Sequence, residues 1–219
     1  MAKLNRRVAL KGLALGSLGL AGSIGLIRRV LAAGTESRIH RLQGDVRFNG
    51  KTLQVGDSLT TPLEVVTSDR AFAAFNVGRN AYLVRGNSRM TITDSQGKTS
   101  HVQIAVGKLL SVFEKGEAQI ATPTAVAGIR GTGIYVEAEA ERSYVCLCYG
   151  SAELSSTQNP ALSESLRTSH HDAPRYISSS GIVPAPVKDH SDDELFLLES
   201  LVGRTPPFSP WDSGGYPSS

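Results

Sequence analysis

From Arg38 to Leu154 apolar and polar residues alternate in short runs, with β-branched residues prominent and Gly, Asn or Asp between the runs. Successive side chains of a strand point to opposite faces, so period-two alternation marks a half-buried strand. The runs predict strands at 38–48, 51–55, 63–67, 71–76, 81–84, 90–93, 101–106, 109–114, 118–121, 133–138 and 144–149. Asn49-Gly50 between the first two is a hairpin signal, because both residues tolerate positive φ. Short strands joined by tight turns, with no helix-period stretch among them, predict an all-β fold: an antiparallel or wound, sandwich-like domain.

After Leu154 the pattern loosens. Residues 155–170 are polar and read as a long loop. Residues 172–188 contain Pro174, Pro184 and Pro186 and read as extended. A single short C-terminal helix is expected over 191–202. Ser191 with Glu194 forms a capping box, and Asp192 and Asp193 suit the positive end of the helix dipole. Leu195, Leu198, Leu201 and Val202 form an apolar stripe that would dock on the β-domain, and Gly203 ends the helix. The last stretch, 205–219, is rich in Pro and Gly and predicts a disordered tail, with Phe208 or Trp211 available as a tether.

Residues 1–33 read as an address. Arg6 and Arg7 form a twin-arginine pair, Lys11 follows, and a Gly-diluted apolar run leads to small residues near Ala33. This resembles a bacterial twin-arginine export signal. The run is shorter than the roughly 20 residues that span a bilayer. The expectation is a periplasmic protein, exported already folded, with no transmembrane segment in its mature part.

The leader also changes the charge. The whole chain has 23 Lys+Arg and 20 Asp+Glu, a net of +3. Six of the basic residues and none of the acidic ones lie in 1–33, which leaves 17 against 20, a net of −3. No nucleic-acid partner is expected, since no basic surface remains to displace phosphate counterions.

Several segments resemble FecR-type domains. They are GDVRFNGKTLQVGDSLTT from Gly44, LVRGNSRMTI from Leu83, TPTAVAGIRGTGIYVEAE from Thr122 and CLCYGSAEL from Cys146. The resemblance spans roughly residues 40–155 and is strongest over 122–136. It implies a FecR-like β-domain over 38–155 that senses or binds, with 156–204 as an extended segment plus docking helix. It also implies an envelope component or a protein as partner. The founder's regulation of a sigma factor needs a cytoplasmic helical domain before a membrane helix, and a short leader does not supply one. At 77–78 the family's Asp-Gly turn is Val77-Gly78. Gly128, Gly131 and Gly133 fall where strands reverse or pass closely. GIRGTG lacks the lysine and the following helix of a phosphate-cradling loop.

Candidate chemistry centres on two cysteines. Cys146 and Cys148 alternate along one predicted strand, so both thiols face one way. Their Cα atoms would be about 6.6 Å apart, the upper edge for a disulfide. His170, His171 and His190 follow. Two thiolates and two imidazoles suit zinc, copper or haem iron, and 156–204 would fold back across the cysteine strand to bring them together. Two other readings stand beside this one: inert buried thiols with loop histidines, or a thiol redox pair. A hydrolase is not expected, since no Gly-x-Ser-x-Gly elbow occurs. His40 and His101 read as isolated surface residues.

Overall fold

The structure, a computed structural model, describes residues 36–94 and 99–209. Residues 1–33, read above as an export leader, and residues 210–219 with Trp211 lie outside the described residues. Thirteen strands form one rolled sheet: β1 (Arg38–Gln43), β2 (Val46–Phe48), β3 (Leu63–Thr67), β4 (Phe72–Val77), β5 (Asn80–Val84), β6 (Arg89–Asp94), β7 (Thr99–Val112), β8 (Glu117–Ala121), β9 (Ala125–Ala138), β10 (Ser143–Ser156), β11 (Ser163–Thr168), β12 (Arg175–Ile177) and β13 (Ile182–Pro184). One helix, α1 (Asp192–Leu201), follows. The fold is all-β and sandwich-like. No helix among the described residues is long and apolar enough to cross a membrane.

β7 organises the roll. Its first half pairs with β6 and, in parallel, with β8, while its second half pairs with β5 and β9. It turns between the two at Gly107, where φ is 110° and an added Cβ would lie 2.1 Å from Ser88 Oγ. No other residue fits that approach without displacing the neighbouring strand.

Alternation sets up two cores. One set of side chains, including Phe48, Phe75, Tyr82, Ile104 and Leu147, fills the interior of the roll. The opposite faces of β4, β5, β7, β9 and β10 carry Ala74, Leu83, Leu110, Tyr135 and Cys146, and these pack under Leu195, Leu198 and Val202. A ten-residue helix is marginal alone, so this docking holds α1. Burying each leucine contributes roughly 1.5–3 kcal/mol. At its start Glu194 N–H donates to Ser191 Oγ at 3.4 Å, and Ser191 N–H donates to Glu194 Oε2 at 3.1 Å. Arg85 reaches both oxygens of Glu194, tying α1 to the end of β5.

Some expectations change. Residues 38–48 form two strands, broken at Gly44 with φ 72°. The Asn49-Gly50 turn closes, with paired bonds between Phe48 and Lys51, but 51–55 leaves the sheet after one bridge. The expected loop at 155–170 contains β11, which pairs with β10. β9 and β10 are each 14 residues long, continuing through glycines that suggested breaks.

Candidate metal centre

Cys146 and Cys148 sit on β10, on the helix-covered side, and both are fully buried free thiols. The pairing of β10 with β9 shifts register between Leu147 and Tyr149, so Cys148 occupies a bulge. The loop after β11 comes back over them. His171 N–H donates to Cys148 O at 2.9 Å, and His171 takes a left-handed backbone, φ 52°. Asp172 steadies this loop by accepting from Ser169 N–H at 3.0 Å and from Ser169 Oγ at 3.1 Å. From the other side His190 enters just before the cap of α1, its ring stacked on Tyr135 with centroids 4.6 Å apart.

Four donor groups thus converge. One atom each from Cys146, Cys148, His171 and His190 lie within 4.8 Å of one another. Cys146 Sγ is 3.6 Å from His171 Nδ1, and His190 Nε2 is 2.9 Å from the same nitrogen. Ligands around a tetrahedral zinc stand roughly 3.3–3.8 Å apart, which this set approaches.

The outer nitrogens decide what the inner ones carry. His190 Nδ1 is 2.6 Å from Lys188 O, which can only accept. His171 Nε2 is 3.0 Å from Asp192 Oδ1, also an acceptor. Each ring therefore holds its proton outward. In neutral rings that leaves His171 Nδ1 and His190 Nε2 as two lone pairs facing each other at 2.9 Å. Something positive must stand between them. Without a metal, a proton from Cys146 can do so, giving a thiolate beside an imidazolium. The shifts agree. The Cys146 thiol is lowered to about 3 by the Cys148 hydrogen bond, then by His171 and His190, against its burial. Burial opposes charge on His171, but Cys146 and Asp192 outweigh it and raise its pKa. Burial and the neighbouring Cys146 push the Cys148 thiol up.

His170 is not part of this set. Its Nε2 lies 2.9 and 3.0 Å from the two oxygens of Asp192, and its ring packs 4.4 Å from Phe208. Asp192 was legible in the sequence only as a helix-start carboxylate. Its place two residues after His190 is the signal that could have marked it as a partner to the histidines. His40 and His101 lie elsewhere, near Asn76 and Gln119 respectively. A haem is a poor match for four donors aimed at one small volume.

A second concave feature crosses the outward face of β8 to β11. Gly128, His101, Gln119, Arg130, Glu153 and Arg167 are among the residues that line it, and its volume is about 590 Å³.

No family model and no curated protein matches the chain. Two solved structures resemble it, crystal structures at 2.50 and 1.65 Å resolution of a "putative anti-sigma factor" from Parabacteroides distasonis ATCC 8503. Each has a TM-score of 0.48 and 12% identity, covering 62% of this chain. This chain spans 64% of theirs, less than two thirds of their length.

Proposed function

We propose that this chain is an exported periplasmic, FecR-like binding and sensing module built around a metal centre. Cys146, Cys148, His171 and His190 are its ligands. The observation that carries this reading is the convergence of one donor atom each from Cys146, Cys148, His171 and His190 within 4.8 Å of one another. Two thiolates balance a divalent ion, and a neutral centre is the form that a largely buried site favours. That argues for zinc over cuprous copper, and four protein donors leave a structural site with no open position. Asp192 and the Lys188 carbonyl orient the two rings from behind, the usual outer support of a metal-bound histidine.

The twin-arginine leader supports loading before export. The groove on β8 to β11, with charged and polar side chains among its lining, supports recognition of a polar envelope component or protein partner. A thiol redox role fits less well, because both sulfurs are buried beneath the loop and helix where no partner disulfide reaches them.

The test is metal analysis of the full chain recovered from the periplasm. About one tightly held zinc per chain is expected, lost in Cys146→Ser. A folded, metal-free protein would overturn the centre. Unchanged export after replacing Arg6 and Arg7 with lysine would overturn the location.

A further inference from the structure

We propose that His170, His171 and Asp192 form a second, exchangeable cation site, joined to the first through the His171 ring. The proposal rests on the metal centre above. His170, His171 and Asp192 each offer a ligand atom, and these lie within 4.8 Å of one another. His170 Nε2 and His171 Nε2 both approach a single oxygen, Asp192 Oδ1, at 2.9 and 3.0 Å. Orienting His171 needs one carboxylate and nothing more. His170 is therefore surplus to that role, yet its ring is mostly buried and aimed at the same oxygen.

Separations near 3 Å are those of neighbouring ligands that each stand about 2.1 Å from a shared ion. Two imidazoles with one carboxylate select a borderline divalent cation such as zinc, nickel or cupric copper over calcium or magnesium. The His170 and Asp192 side chains are 18% and 14% exposed, whereas Cys146 and Cys148 are at 0%. Solvent reaches the second set, so water completes its coordination and the ion exchanges.

Two thiolates would match the charge of the first ion, and the Asp192 carboxylate would supply negative charge to the second. The His171 ring stands between the two donor sets, with Nδ1 toward Cys146 and Nε2 toward Asp192. Nearby cations do not oppose this, since Arg85 pairs with Glu194, Lys188 with Glu137 and Lys108 with Asp189.

Cobalt(II) titration of the metal-stripped full chain separates the two sites. The first equivalent should give a near-ultraviolet thiolate-to-cobalt band. A second should add visible absorption without strengthening that band. His170→Ala should lose the second equivalent and keep the first, and the retained thiolate band reports that the fold is intact. Saturation at one equivalent, or a second equivalent that survives His170→Ala, would overturn this site and leave the first standing. Absence of the thiolate band at every cobalt level would remove the centre itself, and the second site with it.

Discussion

Cys146 Sγ and His171 Nδ1 meet at 3.6 Å, a strand residue and a loop residue 25 positions apart, with the ring at 3% exposure. Contacts of this kind link the loop to the sheet through chemistry rather than apolar area. His190→Ala should leave three donors, release the ion and lower the melting temperature. Comparing metal content and thermal melting of the variant with those of the parent checks this. Retained stoichiometric zinc would contradict the ligand assignment.

Asp192 acts on the first centre from behind His171. Asp192→Asn keeps the shape but weakens the acceptor, so affinity for the thiolate-bound ion should fall about 10–100-fold. Competition with a chromogenic chelator reads this directly. An unchanged affinity would mean that Asp192 does not orient the ring.

The histidine donors lie on the segment that covers the sheet's outer face, so an ion held there would staple residues 169–204 to β10. Metal binding of this kind is coupled to folding. Stripping the ion should speed proteolytic cleavage in 185–190 well before the sheet is cut. Mass spectrometry of timed digests gives the order of cleavage. Identical digestion with and without metal would refute the coupling.

A Cβ added at Gly133 would lie 2.4 Å from Tyr149 Cε1. Tyr149 is 5% exposed, donates to Glu199 and packs on Phe208. Gly133→Ala must therefore push a fixed ring, at a cost of about 1–3 kcal/mol. Denaturant unfolding measures it. A shift below ~0.5 kcal/mol would mean that the ring is free to move.

Glu164 and Arg175 form a two-pronged ion pair, 2.7 and 2.8 Å, between β11 and the start of β12. The Arg175 hydrogen bonds lower the Glu164 pKa below its ordinary 4.5. A depressed folded-state pKa means that the pair stabilises above pH 4.5 and that this contribution fades as pH falls through the lower folded value. Partial exposure limits it to under ~1 kcal/mol. Glu164→Gln should lower stability at pH 7 and make little difference near pH 2. Equal losses at both would disprove the ionic origin.

Strands such as β3 and β8 were legible because they alternate between a buried and a wetter face, whereas β4 and β5 were legible as short apolar runs, buried on both faces. β11 was not, because its exposed positions are Ser, Glu and Arg and only Leu166 and Thr168 turn inward. The capping box of α1 was legible because it is local chemistry. Residues 51–55 alternate as a strand does, yet after the Lys51 bridge the chain meets β1 only from Gly56 onward. The cysteines and histidines could be read as ligand types. Which histidines would share a point could not, because that depends on a left-handed turn at His171 and a ring stack on Tyr135. His170 and His171 are adjacent in sequence but divide between two sets of partners.

Because β7 pairs with β6 and β8 along its first half and with β5 and β9 along its second, one strand carries strain between the two walls of the roll. A side chain forced in at Gly107 would therefore loosen the far wall too, and any ion held by Cys146, Cys148, His171 and His190 would be surrendered at a lower temperature although no ligand had been touched.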